Sequence, residues 1–258
     1  METDAALRIV DPSSVVVDRA APRLRRGTLP AEAIVYVDRH VVVVDKPSGV
    51  STVPFEEGEK DTLVDLVRAA LRRTGGGFDP MLGVVHRLDK ETTGLLVFAR
   101  TLAAKRHLEA QMRAHTAERV YVALAHGVVP RATHRTWLLE DRGDGLRGSW
   151  GVFRTARGPR PADAREAITH VTPLEVRGDV TLCECRLETG RQHQIRIHMS
   201  ESGHMLVGER VYVREHRGPR VAAPHLMLHS RRLTFVHPDT DAPVTFERPP
   251  PWGQDRPT

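Results

Sequence analysis

Apolar residues along this chain recur mostly with the alternation or continuity of strands, and in three places with the spacing of a helix. Residues 34–37 and 41–44 are β-branched runs on either side of the polar turn Asp38-Arg39-His40, which predicts a hairpin, and Pro47-Ser48-Gly49 ends its second strand. Leu63, Leu66, Val67, Ala70 and Leu71 form one stripe of a helix over 63–73. Thr62 and Asp65 supply a capping box at its start, and Thr74 with Gly75, Gly76 and Gly77 stops it. Residues 95–99 are continuously apolar, the pattern of a central strand covered on both faces. Thr101 then caps a helix carrying Ala104, Leu108 and Met112 on one face. Further strands are expected at 119–125, 167–171, 180–188 and 233–236, with a short helix from Gln192 to about Ser202 closed by Gly203. Strands outnumber helices and do not alternate with them one for one, so the pattern predicts an α+β fold with a mixed, mostly antiparallel sheet.

The two ends read differently. Residues 1–30 form an N-terminal extension, expected to be partly disordered, with a possible short strand at Val15-Val16-Val17 and a basic stretch from Arg19 to Arg26. Residues 249–258 begin Pro249-Pro250-Pro251 and read as a tail, because proline cannot continue a sheet ladder. The globular domain is therefore expected over 31–248. At 258 residues with 40% hydrophobic composition the chain can bury a substantial core, built on aliphatic side chains because aromatics make up only 5%. The N-terminus lacks the order of a secretory signal and no run reaches membrane-spanning length, so a cytoplasmic protein is expected. Cys183 and Cys185 alternate on one strand face, too close for a relaxed disulfide, and are read as buried small side chains. A formal net charge of +5 favours a polyanionic partner.

Nucleotide-cofactor loops and a G-x-S-x-G elbow are absent from the sequence. His193 and His198 are five residues apart, which puts them on different sides of a helix, unlike the four-residue gap of a zinc-binding H-E-x-x-H. Three segments carry candidate chemistry. In His86-Arg87-Leu88-Asp89-Lys90, a carboxylate flanked by two cations stands just before a buried strand, where a rigid edge can hold a catalytic group. In Arg119-Val120-Tyr121, the arginine and tyrosine share one strand face, so the ring could stack on an exposed base. In the segment 187–198, a strand runs through Gly190 into a polar helix start where Arg191 and Arg196 suit a phosphate or carboxylate. Each has an ordinary alternative: a surface ion-pair cluster, a rim tyrosine, a solvated helix.

In this order and spacing the segments resemble the RluA family of pseudouridine synthases over residues 34–247. The matching motifs are Asp45-Lys46-Pro47-Ser48-Gly49, His86-Arg87-Leu88-Asp89-Lys90, Arg119-x-Tyr121, Thr189-Gly190-Arg191-x-His193-Gln194-Ile195-Arg196, Leu228-His229-Ser230 and Phe235-Val236-His237-Pro238. The resemblance implies the pseudouridine synthase fold, a large mixed, mostly antiparallel sheet with flanking helices and a central catalytic cleft. It implies Asp89 as the catalytic aspartate, Tyr121 as the ring packed on the target base, and Arg196 as the guanidinium hydrogen-bonded to Asp89. Arg87, His86, Leu88, Lys46, Arg119, Arg191, His193 and Gln194 are the implied RNA contacts. Departures from the family pattern lie at Arg119, Gln192, Thr93, Met205 and Glu209; the last stands for an aspartate in G-D-x-x-Y before Tyr212. None is expected to touch the three central positions. Some thirty residues before the domain are too few for an S4 RNA-binding module, so a bare catalytic domain is expected.

The implied reaction cleaves N1–C1′ of a uridine in ribosomal or transfer RNA and forms C5–C1′. It is a redox-neutral isomerisation that calls for no cofactor and no metal, and a monomer is expected. Two other readings use the same residues: an RNA-binding protein without turnover, distinguished by tritium release from 5-tritiated uridine, and a metal-dependent phosphodiesterase using Asp89, His193 and His198, distinguished by chelation.

Overall fold

The computed structural model describes residues 28–73, 81–152 and 159–252. The readings for the strand at 15–17, the basic stretch at 19–26, the helix stop at 74–77 and the end of the tail at 253–258 lie outside the described residues. Within them, eleven strands form one sheet: β1 (Ile34–Val37), β2 (Val41–Lys46), β3 (Gly83–Val84), β4 (Thr93–Ala99), β5 (Glu118–His126), β6 (Ala132–Leu139), β7 (Gly148–Ser149), β8 (Arg165–Arg177), β9 (Val180–Leu187), β10 (Leu228–Val236) and β11 (Pro243–Glu247). Their order is β1-β2-β4-β10-β5-β9-β8-β6-β7, with β3 also pairing β4 and β11 pairing β10. Among these pairs, β4 with β10 is parallel and the rest are antiparallel. The α+β, mostly antiparallel expectation therefore holds.

The helices are α1 (Leu63–Arg73), α2 (Leu102–Ala114) and α3 (Gln194–Glu201). α1 starts at the expected capping box: the Thr62 and Asp65 backbone N–H groups donate reciprocally to Asp65 Oδ2 and Thr62 Oγ1 at 3.2 and 3.4 Å. Thr101 Oγ1 accepts from the Ala104 N–H at the start of α2. β2 and β4 are covered on both faces, which explains their unbroken apolar runs. Val42, Val44, Leu96 and Phe98 pack with the α1 stripe, while Val41, Val43, Leu95, Val97 and Ala99 pack with Ala104 and Leu108 of α2. Cys183 and Cys185 are free and buried in the first of these clusters, as expected.

The ordinary alternative for the segment 187–198, a solvated helix, is set aside: every residue from Gln194 to Ser200 is buried, because the sheet lies on one side and residues 205–212 fold back over the other. Trp252, within the stretch read as the tail, is buried against Val122, Leu182 and Met227. Leu29, within the stretch read as the extension, is buried in the main core. The short or polar strands β3, β6, β7 and β11 had no apolar run to announce them.

β4 and β10 share only two partner positions, Thr93 with His229 and Gly94 with Ser230. This seam joins β1–β4 to the other strands, and the loop carrying Asp89 enters β4 beside it. Gly94 has φ +106°, and a Cβ there would lie 2.4 Å from the Ser230 carbonyl oxygen. Gly94→Ala is expected to cost more than about 2 kcal/mol, from left-handed strain together with the backbone clash. Urea denaturation of the variant beside its parent measures it; a loss below about 0.5 kcal/mol would show that the seam yields freely.

Candidate active site

Asp89 sits on the loop before β4, and that loop is fastened from three directions. Lys46, fully buried at the end of β2, donates to the carbonyls of Pro47, Val50 and Lys90 at 2.8–2.9 Å. Burial draws the Lys46 pKa down to about 7 against the opposing pull of Asp89 and Glu91, whereas three carbonyl acceptors match the three N–H bonds of the charged form. With each acceptor at full bonding distance, the three carbonyls hold Lys46 as the ammonium. Thr52 Oγ1 donates to Leu88 O and accepts from Leu88 N. His86 Nε2 accepts the Val97 N–H, and burial pushes its pKa down to about 3, which keeps that acceptor unprotonated.

His86 and Leu88, expected as RNA contacts, both line the cavity described below, whereas Lys46 is fully buried. Lys46 spends its ammonium on backbone carbonyls, His86 anchors the loop to β4, and the Leu88 side chain is core. Gln194 is likewise committed. Its oxygen accepts from Thr189 Oγ1 and Arg191 N, and its nitrogen donates to Ile168 O and Thr169 Oγ1, all at 3.0 Å or less. It ties α3 to β8.

A cavity of about 720 Å³ opens above the loop, lined by Asp89, Tyr121, Arg196, Arg119, His193 and Arg87 among others. The three central residues of the sequence reading thus face one space. The Asp89 side chain keeps 16% exposure, so it meets the cavity without being sealed. Tyr121 comes from β5, in register with Ser230, which in turn is in register with Gly94. Burial raises the Tyr121 pKa, with the Arg119 cation acting in the opposite direction. Arg119 donates to Glu188 O at 3.0 Å and passes so close to Gly190 that a Cβ there would lie 2.3 Å from its Nη1. Arg87 and Arg191 are exposed at the rim, where Arg191 Nε donates to Glu166 O; Lys90 turns aside to Glu59 at 3.5 Å.

Arg196 is bonded otherwise than expected. Its Nε and Nη2 donate to Glu209 Oε2 and Oε1 at 2.7 and 2.8 Å, a two-pronged pair. Nη1 stands 3.6 Å from Asp89 Oδ2, an ion pair beyond hydrogen-bond distance. Glu209, read from sequence as a departure remote from the centre, is therefore the direct partner of Arg196. Its Oε1 also accepts the N–H groups of Arg210, Val211 and Tyr212. Burial would raise the Glu209 pKa, but the Arg196 hydrogen bonds and charge outweigh it and the net direction is down. The Gly-x-x-x-Tyr spacing at 208–212 was the available signal; nothing in it disclosed the contact with Arg196.

His193 caps α3 in the left-handed region at φ 59°. Its Nδ1 is 2.7 Å from the Tyr212 hydroxyl and its Nε2 is 3.9 Å from Asp89 Oδ1. His198 points elsewhere, with its ring nitrogens on Thr136 Oγ1 and Thr169 Oγ1. No group of three metal-ligating side chains is found among the described residues, and His193 and His198 bond to different partners.

Removing the Glu209 charge leaves Arg196 buried with Asp89 as its remaining anion. Glu209→Gln is expected to destabilise the fold by about 3 kcal/mol near neutral pH. Because the folded-state pKa of Glu209 is lowered from 4.5, its contribution is complete above that value and disappears as pH falls through the folded pKa. Denaturation curves across the acid range should accordingly converge for parent and variant; a constant gap would refute the charge argument.

Residues 40–201 match the family described as RNA pseudouridylate synthase. The ribosomal large subunit pseudouridine synthase D of Zymomonas mobilis is 36% identical over 257 residues, covering 95% of this chain and 78% of that protein. The enzymes of the same name from Neisseria meningitidis serogroup A and Pseudomonas aeruginosa are 38% and 36% identical over 84% of this chain, which spans 58% and 68% of their lengths. Among solved structures, human RNA pseudouridylate synthase domain containing 1 is similar with TM-score 0.63 and 26% identity, covering 85% of this chain and 83% of that one. Human RNA pseudouridylate synthase domain containing 4, with TM-score 0.67 and 22% identity, covers 85% and 89% and shares the fold. With the family match spanning more than half of its residues and a relative aligned over most of both chains, this chain belongs to the RNA pseudouridylate synthase family, which its RluA-like motifs implied.

Proposed function

We propose that this chain isomerises uridine to pseudouridine in the large-subunit ribosomal RNA, with Asp89 as the nucleophile or base at the reacting nucleotide. The observation that carries the reading is the charged chain Glu209–Arg196–Asp89, which ends at the floor of a cavity also lined by Tyr121. The choice of ribosomal over transfer RNA rests on the relatives named above, which are large-subunit enzymes.

A uridine within a stack is inaccessible, so the target must be everted at a cost of a few kcal/mol. The 720 Å³ cavity falls within the usual range for small-ligand sites, about 300–1,000 Å³. Tyr121 replaces part of the stacking lost, worth roughly 1–3 kcal/mol per base. The exposed guanidinium groups of Arg87 and Arg191 at the rim suit flanking phosphates, while the phenol and Arg119 line the interior. Asp89 acts as its carboxylate, with Arg196 opposite one oxygen and the other turned toward His193. The reaction moves one carbon–nitrogen bond to carbon and conserves oxidation state. Among the described residues no helix is long and apolar enough to cross a membrane.

Asp89→Asn keeps the shape and removes the charge. It is expected to bind RNA within about threefold of the parent and to lose at least about 10³-fold in turnover, since the nucleophile itself is gone. Tritium release from RNA carrying 5-tritiated uridine reads the loss, and substantial remaining turnover would overthrow the assignment. Tyr121→Phe keeps the ring, so affinity should fall by less than about threefold; a filter-binding loss beyond tenfold would transfer the role from ring to hydroxyl. Carbodiimide mapping of total RNA with and without the gene identifies the modified position.

A further inference from the structure

We propose that the RNA strand flanking the everted uridine leaves the central cavity along a groove between residues 138–147 and 163–165, with Arg147 and Arg165 on its phosphates. The assignment rests on the isomerase reading above, which makes RNA the substrate. Neither arginine lies in the segments that carry the family motifs. Both come from the strands β6 to β8 at the far side of the sheet, Arg147 just before β7 and Arg165 as the first residue of β8.

The groove holds about 420 Å³ and shares Arg87, Asp89, Gly190 and Arg191 with the central cavity, so the two spaces adjoin at the Asp89 carboxylate. A second groove adjoins Asp89 from another side, beside residues 51–59. Charge separates the two. In the first, Arg147, Arg165 and Arg191 face Glu140 and Asp163. In the second, Lys90 faces Glu56, Glu57 and Glu59, and its Nζ already stands 3.5 Å from Glu59. Each phosphodiester carries a full negative charge, and binding it draws on cations that release its counterions. The arginine-lined groove therefore attracts the backbone where the acid-lined one repels it.

The guanidinium groups are also available. Arg165 is exposed, and its side chain has no hydrogen bond or ion pair among the described residues. Arg191 spends Nε on Glu166 O at 2.9 Å, which fixes the group and leaves its terminal nitrogens without a protein partner among the described residues. Arg147 Nη1 lies 3.3 Å from Glu140 Oε1, but the Glu140 side chain is 77% exposed, and so open an ion pair gives way readily to a phosphate. The turn that carries Arg147 is firmly built. Asp141 Oδ1 accepts the N–H groups of Gly143 and Gly145 at 2.7 and 2.9 Å, and the Arg142 N–H donates to Leu146 O at 2.7 Å. Leu146 packs against the cluster of Leu138, Ile197 and Tyr212. Arg147 is thus held in place before RNA arrives, which lowers the ordering cost of the contact.

The test measures filter binding of the full chain to transcribed large-subunit ribosomal RNA across a potassium chloride series. Each phosphate contact removed lowers the slope of log affinity against log salt by about 0.7, which is about fivefold in affinity near 0.1 M salt. Arg147→Gln and Arg165→Gln are each expected to show that flattening, and the double variant about twice it. Arg147→Lys keeps the charge and should keep the parent's slope, a rescue that a purely structural role would not produce. Arg131→Gln removes an exposed charge at the opposite end of β6 and should change the slope by less than about 0.2. If the double variant keeps the parent's slope, or Arg131→Gln flattens it as much as Arg147→Gln does, the proposal fails. Silent arginine variants with an affinity gain beyond about tenfold in Glu56→Gln/Glu57→Gln would put the strand in the other groove. Absence of pseudouridine in the same RNA treated with the parent protein would instead remove the isomerase reading, and the salt slopes would still report where RNA lies.

Discussion

A single guanidinium held between two carboxylates organises this molecule. Arg196 cannot shed its proton, so burying it requires an anion that is itself buried and fixed. Glu209 meets that need with two short hydrogen bonds and is held in turn by three backbone N–H groups of its own turn. With two of its donors committed there, Arg196 presents the third nitrogen to Asp89 at 3.6 Å and cannot rotate away. One cation thus serves two anions, and the excess negative charge falls on Asp89, the partner that reaches the cavity. The arrangement places the Asp89 carboxylate by electrostatics from one side, with Arg196 Nη1 at 3.6 Å from Oδ2.

The fold supplies the opposing constraint. Asp89 is reached from the other side by a loop whose carbonyls and N–H groups are taken up by Lys46, Thr52 and His86. These fasteners come from β2, from the segment leading to α1 and from the loop itself, so the position of Asp89 is tied to the doubly covered strands β2 and β4. Arg196 is tied to α3, buried between the sheet and the returning segment 205–212. Backbone pairing between the two halves of the sheet is confined to the short β4–β10 seam, while the two apolar clusters pack across it.

Much of this was legible in the chain, and the parts that were not share a cause. Strands β2, β4, β5 and β9 and helices α1 and α2 announced themselves because burial on one or both faces imposes a periodicity of apolar residues. β6 carries Thr133, His134, Arg135 and Thr136 in sequence and lies toward the sheet edge, where solvent relaxes that demand. α3 misled in the opposite direction: Gln194, Arg196, His198 and Ser200 look like a solvated face, yet each is buried with its polar atoms bonded to protein. Polarity in a sequence reports exposure only when no partner is available inside.

The sequence by itself determined the fold class, the principal elements, the family and the three residues that converge on the cavity, because short motifs and periodic burial are properties of neighbouring positions. Only the tertiary structure decided what each charged side chain is bonded to. Lys46 and Gln194 resembled ligand contacts and are fully engaged by backbone and neighbours, whereas Glu209 resembled a peripheral departure and is the main partner of Arg196. The reason is geometric. A hydrogen bond is decided over a few tenths of an ångström between groups that chain order leaves far apart, and no pattern along the chain carries that distance.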